Sequence, residues 1–431
     1  MIKQGEREIA VYILIDIFEQ NAYNNIILRK ALSEHTELNK IQKSFITELV
    51  NGTLRNVIHI DYIIDSFSKT KTNKMKSFIR NILRISVYQA KFMKKVPDSA
   101  ICNEAVKLVK AKGFANLSGF VNGVMRNIIR NLDQIEYPDE NKNSVKYLSI
   151  YYSYPEWILK YWLKEMDYKT VKNICEIQST APVVTICINS LKTDKKSLIM
   201  KLKQENMLVT ESTANANLLH IKGTSDIGNS NCFKEGLFHV MDASSAAAVC
   251  ALEPKPNDTV LDICSAPGGK SFYMAYIMEN KGKIIARDVH EHKLNLINDS
   301  ANRLGIEIIQ TENRDATKTH IATEEVDALL IDAPCSGFGL LRKKPDIKYT
   351  KTFEDIVSLQ ELQRKILVAS YNYVKVGGTL IYSTCTISKK ENMDNVEWFL
   401  KEYPFELIEV NNIMPQQNYD GFFIAKMIRK A

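Results

Sequence analysis

Residues 260–270 read VLDICSAPGGK, and this stretch decides how the chain folds from about residue 241 onward. An apolar run typical of a strand leads into a loop of small residues, and a helical pattern follows. Gly268 and Gly269 let the backbone approach a ligand closely, and the N–H groups that open a helix attract a carboxylate or phosphate. The spacing fits neither GxxxxGK[ST] nor GxGxxG. It predicts a ligand-binding loop, although an ordinary joint between a strand and a helix is the alternative.

Strands and helices alternate on either side of this loop from about residue 241. Strands are predicted at 259–264, 283–289, 307–311, 326–331, 379–382, 405–410 and 422–428, with helices near 269–280, 290–304, 354–374 and 389–402. Alternation of this kind predicts a doubly wound, mainly parallel α/β sheet with ligand sites at the carboxyl ends of its strands.

Acidic residues stand at successive strand ends. Asp288 lies 20 residues beyond Gly268 and suits the hydroxyls of a ribose. Asp315 follows the next strand and suits the edge of an adenine. Any one of these acids would more often be a solvated loop residue, but together they favour a nucleoside pocket.

Two cysteines also follow strands, in DAPCS at 332–336 and STCT at 383–386. A lone cysteine is usually a small core residue. Cys335 and Cys385 occupy equivalent strand ends, and Cys335 lies close to Asp332, which favours a functional role. Their positions in the sequence do not distinguish the role of one sulfur from that of the other.

The chain before about residue 241 reads differently. Apolar residues at three- and four-residue steps predict an all-helical domain over 1–135. Residues 145–178 predict two further helices, and a strand–helix–strand–strand pattern to about 240 predicts a small α+β module. The domain boundaries expected from these shifts are 1–135, 145–237 and 238–431.

Positive charge is concentrated in the helical domain, where residues 1–135 carry 21 Lys or Arg against 12 Asp or Glu. Within it, residues 69–95 hold nine basic residues and no acid. Such a field attracts polyanions and favours a nucleic-acid partner, the alternative being a solvated helix face. A second basic stretch at 342–351 is equally compatible with RNA phosphates or with a solvated loop. The candidate RNA contacts are Lys69, Lys71, Lys74, Lys76, Arg80, Arg84, Arg342, Lys343 and Lys344.

Several classes of protein are disfavoured by composition. No run of about 18 apolar residues exists, so no membrane-spanning helix is expected, and the N-terminus does not read as a secretory signal. None of the eight cysteines lies within 11 residues of another, so no CxxC metal or redox pair exists. We expect a cytoplasmic protein with reduced thiols, no metal and no membrane partner.

The motifs DICSAPGGK (262–270), DAPCS and STCT, in that order, resemble the Sun/NOL1/NOP2 family of RNA cytosine-5 methyltransferases over 238–431. DGFFIAK at 420–426 is also typical of that family. The helical first third resembles the NusB antitermination fold. The resemblance implies a multi-domain protein: an all-α NusB-like domain, a small RRM-like α+β module and a Rossmann-like class I methyltransferase domain. This combination is similar to the bacterial family members that act on 16S rRNA.

The resemblance also implies roles for the site residues. Cys385 would add to the 6-position carbon of cytosine, because the 5-position carbon is a poor nucleophile until a thiolate has added next to it. Cys335 would assist product release, and Asp332 would contact the base. The residues implied to bind the cofactor S-adenosylmethionine are Cys264, Ser265, Ala266, Pro267, Gly268, Gly269, Lys270, Asp288, Asp315 and Asp332. Ser265 stands where the family often has alanine, and either residue fits a tight loop.

Two alternatives stay open at this stage. One is a NusB-like RNA-binding or assembly protein with a vestigial catalytic domain, which retention of both cysteines and the strand-end acids disfavours. The other keeps the chemistry but takes tRNA as substrate. The sequence also does not distinguish naked 16S rRNA from an assembling small subunit.

Overall fold

The first of two compact units is helical, as the apolar spacing predicts. The computed structural model describes residues 5–20, 22–222, 227–318 and 325–431. This unit comprises Met1–Thr180 together with Leu341–Thr350. Its longer helices are α1 (Glu6–Gln20), α2 (Asn24–Glu34), α3 (Lys40–Arg55), α4 (Val57–Phe67), α5 (Ser77–Phe92), α6 (Asp98–Ala111), α7 (Ser118–Arg130), α8 (Ser144–Tyr152), α9 (Glu156–Trp162) and α10 (Tyr168–Gln178).

A single apolar core joins helices α1 to α7. Val11, Leu49 and Ile82, from three different helices, are all fully buried in it. Burial of this kind supplies most of the stability of helices that would be marginal in isolation. The helices α8 to α10, which we expected to link two domains, are grouped by the structure with the helical unit.

The segment Leu341–Thr350 returns to the helical unit from far along the chain. Its Lys348 is 2% exposed, donates from Nζ to the carbonyl oxygen of Arg55 at 3.0 Å, and lies 4.3 Å from the Tyr154 ring centroid. Burial lowers the pKa of Lys348 to about 7. This lysine is therefore an interior packing residue.

The second unit, Ala181–Leu340 with Lys351–Ala431, begins with a small antiparallel sheet of order β2-β3-β1-β4. Its elements are β1 (Val184–Ile188), α11 (Lys195–Gln204), β2 (Leu208–Glu211), β3 (Leu218–Lys222), α12 (Asn231–Lys234) and β4 (Phe238–Val240). The resulting β-α-β-β-α-β order is ferredoxin-like. The sequence patterns missed β2 because it is a short, mostly exposed edge strand, and α12 because it has four residues.

A seven-stranded sheet forms the rest of this unit, in the order β10-β11-β9-β8-β5-β6-β7. Strands β5 to β9 pair in parallel, whereas β11 is antiparallel to both neighbours. The strands are β5 (Thr259–Ile263), β6 (Lys283–Asp288), β7 (Ile309–Asn313), β8 (Val326–Asp332), β9 (Val374–Thr384), β10 (Phe405–Ile413) and β11 (Phe422–Arg429). The prediction of a doubly wound, mainly parallel sheet is confirmed.

Helices cover both faces of this sheet. They are α13 (Ala243–Leu252), α14 (Gly269–Ile277), α15 (Glu291–Leu304), α17 (Phe353–Ser370) and α18 (Met393–Glu402). The short α16 (Ile347–Thr350), which precedes α17 in the chain, belongs to the helical unit. One core lies between the sheet and α13 to α15, and a second lies between the sheet and α17 and α18. None of the described helices is long and apolar enough to cross a membrane.

His239 of β4 connects the small sheet to the loop before α14. Its Nε2 lies 3.1 Å from the carbonyl oxygen of Gly269, and its Nδ1 lies 3.2 Å from the hydroxyl of Tyr276. Burial lowers the pKa of His239 to about 3, so the ring is neutral at pH 7. A neutral imidazole that donates from Nε2 and accepts at Nδ1 satisfies both contacts.

Candidate active site

The loop after β5 turns sharply at the carboxyl end of the central strand. Cys264 and Gly268 have φ values of +62° and +97°. A Cβ atom on Gly268 would lie 2.6 Å from the Phe272 ring, so a glycine is needed there. No side chain caps α14, which leaves the N–H groups of its first turn available to a ligand.

Asp288, the predicted ribose acid, lies against this loop. Its carboxylate accepts from the backbone N–H of Ala266 at 3.3 Å and of His290 at 3.0 Å. The N–H of Ser265 also donates to the carbonyl oxygen of Arg287 at 2.9 Å. The structure therefore brings the first motif and the end of β6 into direct contact.

Asp315, the predicted adenine acid, follows β7 at the same edge of the sheet. Its Oδ1 accepts from the N–H and the hydroxyl of Thr317 at 2.9 and 2.6 Å. The neighbouring N–H of Arg314 donates to the carbonyl oxygen of Asp288 at 3.1 Å. The two acids thus stand at the ends of adjacent, hydrogen-bonded strands.

Asp332 ends β8 and is held by two side chains. The Nζ of Lys270 lies 2.5 Å from its Oδ2, and the hydroxyl of Ser383 donates to its Oδ1 at 3.1 Å. Burial tends to lower the pKa of Lys270, but the adjacent Asp332 carboxylate outweighs burial and the pKa is raised. Lys270 therefore stays protonated beside Asp332. Sequence reasoning assigned no role to Ser383.

The two cysteines predicted at strand ends are in contact, with their Sγ atoms 3.1 Å apart. The hydrogen bond with Cys385, together with burial, raises the pKa of Cys335 well above its ordinary value. Cys335 consequently keeps its proton at pH 7, and either sulfur can be the donor of the contact.

A buried hydrogen-bond network fixes the residues that follow the two cysteines. The Ser336 hydroxyl lies 2.8 Å from the Thr386 hydroxyl, and the Ser336 N–H and hydroxyl donate to the Glu391 carboxylate at 2.8 and 2.6 Å. Glu391 is fully buried, which raises its pKa. The predicted helix 389–402 begins only at Met393, so Glu391 lies in a loop that no sequence pattern indicated.

Two glycines press the C-terminal DGFF stretch against the Cys385 loop. The N–H of Gly339 donates to the carbonyl oxygen of Cys385, and the N–H of Gly421 donates to that of Gly339, both at 3.0 Å. A Cβ on Gly339 would lie 1.8 Å from the Gly421 oxygen. Gly339 therefore links the chain just before Phe422 to the loop of the predicted nucleophile through two backbone hydrogen bonds.

The basic residues of 69–95 divide into exposed lysines and paired arginines. The carboxylate of Glu19 pairs with Arg80, and that of Asp61 accepts from Arg84 at 2.8 and 2.6 Å. These acids come from α1 and α4, so the lack of acids within the stretch overstates its free charge. The lysines at the candidate positions are all exposed: Lys69, Lys71, Lys74 and Lys76.

The second basic stretch also lies partly inside the helical unit. Arg342 is only 3% exposed, Lys343 is half-buried and Lys344 is exposed. Arg84 is likewise buried, at 7% exposure. The burial of Arg84 and Arg342 does not fit contact with RNA phosphates, because side chains with this little exposure are packed inside the protein and are not accessible to a ligand in solution.

The residues at the carboxyl ends of β5 to β7 fit S-adenosylmethionine. The Gly268 turn leaves a cradle that a Cβ would fill, Asp288 stands beside it, and one carboxylate oxygen of the fully buried Asp262 has no hydrogen-bond partner among the described residues. Burial raises the pKa of Asp262 to about 7. In the part of the chain that the structure describes, no group of three or more His, Cys, Asp or Glu is placed to hold a metal.

Comparisons with known proteins agree with this organisation. Sequence profiles of the NusB family, of an RsmF/B-like ferredoxin-like domain and of the 16S rRNA methyltransferase RsmB/F family match residues 4–130, 154–228 and 249–428. The chain is 37% identical to the probable ribosomal RNA small subunit methyltransferase B of Bacillus subtilis (strain 168). It is 29% identical to ribosomal RNA small subunit methyltransferase B of an Enterobacter species (strain 638). Both alignments cover all of each chain.

Solved structures are similar over the same regions. The crystal structure of PH0851 superimposes with a TM-score of 0.81 and 26% identity, covering 99% of this chain and all of that one. The structure of NSun6 from Pyrococcus horikoshii with SFG has a TM-score of 0.59 at 22% identity, covering 64% of this chain and 98% of that one. At that identity the second likeness concerns the fold alone.

The doubly wound sheet and the match to the 16S rRNA methyltransferase RsmB/F model place the chain in the class of S-adenosylmethionine-dependent methyltransferases. The chain is 37% identical to a relative over the full length of both, and its NusB and ferredoxin-like matches precede the methyltransferase match. These findings identify the family within the class. The chain belongs to the ribosomal RNA small subunit methyltransferase B family. The expected NusB-like domain and the expected methyltransferase domain are both confirmed.

Proposed function

We propose that this protein methylates the 5-position carbon of a cytosine in 16S rRNA through a covalent intermediate between Cys385 and the base. The observation that carries the proposal is the pair of sulfur atoms 3.1 Å apart at the ends of two adjacent strands, with Asp332 beside them. A packing role alone would not need two thiols and a carboxylate at one sheet edge.

The cofactor-binding residues are proposed from the site geometry. Asp288 would hold the ribose hydroxyls, Asp315 the adenine, and the loop at 264–270 the amino-acid part. S-adenosylmethionine supplies an electrophilic methyl group when bound. Lys270 donates a hydrogen bond to Asp332 and thereby orients that carboxylate toward the base.

The protein side chains make the cytosine reactive. The Cys385 thiolate forms a bond to the 6-position carbon, and the electron pair displaced from the ring double bond makes the 5-position carbon nucleophilic. Asp332 contacts the polar edge of the base and stabilises charge at the ring nitrogen. After methylation the proton on the 5-position carbon passes to water, the electron pair of that C–H bond re-forms the ring double bond, and the bond to Cys385 breaks so that the sulfur leaves as a thiolate. Cys335 assists this last elimination.

The RNA-binding part of the proposal rests on charge and on relatives. The exposed lysines of the helical domain present positive charge to phosphates. The relatives named small subunit methyltransferases support 16S rRNA over tRNA. We propose a cytoplasmic enzyme in three parts, 1–135, 145–237 and 238–431, that acts on 16S rRNA either naked or in an assembling subunit.

The two cysteines make the proposal testable on one denaturing gel. The wild type, Cys385→Ala and Cys335→Ala are each incubated with unmodified 16S rRNA, 23S rRNA or tRNA and methyl-labelled cofactor. We expect no product and no conjugate from Cys385→Ala. Cys335→Ala should accumulate a methylated protein–RNA conjugate, because addition and methyl transfer proceed while elimination stalls.

A matched control is Cys102→Ala, which removes a thiol of helix α6 in the helical unit. It should retain wild-type product formation. A conjugate in Cys385→Ala would reverse the two roles, and equal, modest losses from both variants without any conjugate would contradict the covalent mechanism. Labelling of tRNA instead of 16S rRNA would contradict the proposed substrate.

A further inference from the structure

A cavity of about 660 Å³ lies beside the sheet on the side covered by α13. Its floor is the uncovered end of β10 and β11, including Glu409 and Asn411, and α13 forms one wall. Tyr419, from the loop between the two strands, forms another wall. A space of this size is in the range of ordinary small-ligand pockets.

Polar groups without partners converge in this cavity. Glu409, Asn411 and Ile413 are paired in register with alternate residues of β11 and so share one face of β10. Glu409 and Asn411 are exposed and Tyr419 is half-buried, and among the described residues no hydrogen bond or ion pair engages the side chains of Glu409 and Asn411 or the hydroxyl of Tyr419. The cavity therefore offers a carboxylate, an amide and a phenol to a ligand.

Hydrogen bonds link the wall of the cavity to the Cys385 loop. Tyr419 precedes Gly421 by two residues, and the Gly421 N–H is bonded to Gly339, which is bonded in turn to the carbonyl oxygen of Cys385. Ser244 of α13 also donates to the carbonyl oxygen of Asp420 at 2.9 Å. The Cys385 loop, the C-terminal stretch and the cavity wall are thus tied together by hydrogen bonds.

The lining favours a nucleobase over a phosphate. Among the described residues the lining holds two carboxylates, Glu253 and Glu409, against one lysine, Lys426. Lys426 is paired with Glu253 at 2.8 Å and also lies directly opposite Glu409 in the register of β10 and β11, so the lining keeps a net negative charge. A net negative lining repels phosphate, and its carboxylates accept from the amino and imino groups of a base edge. Unstacked RNA bases are typically read by amide and carboxylate side chains and by stacking on aromatic rings.

We propose that this cavity binds the base of an RNA nucleotide that flanks the target cytosine, with Asn411 and Glu409 on its edge and Tyr419 against its face. The proposal rests on the proposed RNA methyltransferase function. It adds a second base-binding site to that function. The cavity would fix which cytosine enters the catalytic site, because a flanking base held there sets the register of the strand.

The test uses the full-length protein and a fluorescent 16S rRNA fragment that the wild type methylates. A series of fragments carries one abasic nucleotide at each position near the methylated cytosine, and binding is measured by anisotropy without turnover. One abasic position should weaken wild-type binding about 5- to 150-fold, as expected when a base contact worth about 1–3 kcal/mol is lost. Asn411→Ala and Tyr419→Ala should bind the intact fragment correspondingly less well and show no further loss at that position.

Glu397→Ala removes an exposed carboxylate from α18, which packs on the opposite face of the sheet, and should keep the full abasic effect. The proposal is overturned if no abasic position matters, or if Asn411→Ala and Tyr419→Ala retain the full abasic effect. Failure of the wild type to methylate cytosine in any 16S rRNA fragment would instead overturn the proposed function, so the two failures are separable.

Discussion

The ion pair between Lys270 and Asp332 gives a prediction that can be tested without any substrate. Asp332→Asn removes the negative charge and keeps the shape, and Lys270→Met removes the positive charge and keeps the length. The side chain of Lys270 is 12% exposed and that of Asp332 is 30% exposed. Removing the carboxylate leaves an almost buried ammonium, whereas removing the lysine leaves a carboxylate that water and Ser383 still reach.

The magnitudes follow from this difference in burial. Breaking a buried ion pair by deleting one partner costs about 3–5 kcal/mol, and partial exposure reduces that cost. We expect Asp332→Asn to destabilise the catalytic unit by about 2–3 kcal/mol and Lys270→Met by about 1–2 kcal/mol. The double variant should cost less than the sum, by about 1.5 kcal/mol or more, because neither charge is left unpaired.

Urea unfolding of the wild type, both single variants and the double variant measures this coupling. The unfolding transition of the catalytic unit is monitored at pH 7. Agreement of the double variant with the sum of the single variants within about 0.5 kcal/mol would refute the argument that the two charges depend on each other. A larger loss from Lys270→Met than from Asp332→Asn would refute the argument from burial.

Three further predictions concern cofactor, RNA and acid. Asp288→Ala should weaken cofactor binding at least tenfold in calorimetry, since hydrogen bonds to a charged group contribute about 1.5–3 kcal/mol each, while the exposed Asp299→Ala should bind normally; equal affinities would reject the ribose assignment. A variant with alanine in place of Lys69, Lys71, Lys74 and Lys76 should have a smaller slope of log RNA affinity against log salt concentration. The slope should fall by up to about three, at roughly 0.7–0.9 per phosphate contact, and an unchanged slope would exclude contact of these lysines with RNA. Burial lowers the pKa of His239 to about 3 in the folded protein, whereas the unfolded chain has the ordinary value of about 6.5. Between these two pH values only the unfolded chain binds a proton at this histidine, so the free energy of unfolding falls as the pH is lowered. Relative to His239→Phe, the wild type should lose about 2 kcal/mol more between pH 7 and pH 5 in urea unfolding, and parallel losses would contradict this.

Features encoded by neighbouring residues could be predicted from the sequence. The turn at Gly268 and the acid at Asp288 were recognisable because a strand, a loop and a helix follow one another within 30 residues. The placement of Cys335 and Cys385 at one edge of the sheet followed from the rule that parallel strands end at the same edge, but their contact did not. The raised pKa of the Cys335 thiol did not follow either, because it depends on a hydrogen bond with Cys385 across 50 residues and on burial.

Features that depend on distant packing were missed. Helix α13 is made largely of alanine and serine and lacks an amphipathic stripe, so no periodicity indicated it. Arg84 looked uncompensated because its partner Asp61 lies on another helix. Glu391 looked like a helix residue in a charged stretch, and only the folded loops show that it accepts from Ser336.

The path of the chain through Leu341–Thr350 restricts how this protein can be divided. The chain passes between its two units three times, since this segment leaves the catalytic unit and returns to it. A catalytic fragment expressed from residue 181 onward would carry the segment without the helices that bury Lys348. A helical fragment ending at residue 180 would lose the lysine that caps the carbonyl of Arg55. No single cut in the sequence therefore yields two fragments that each keep all the residues of one unit. Recombination that exchanged only the N-terminal part would leave Leu341–Thr350 packed against helices of a different sequence.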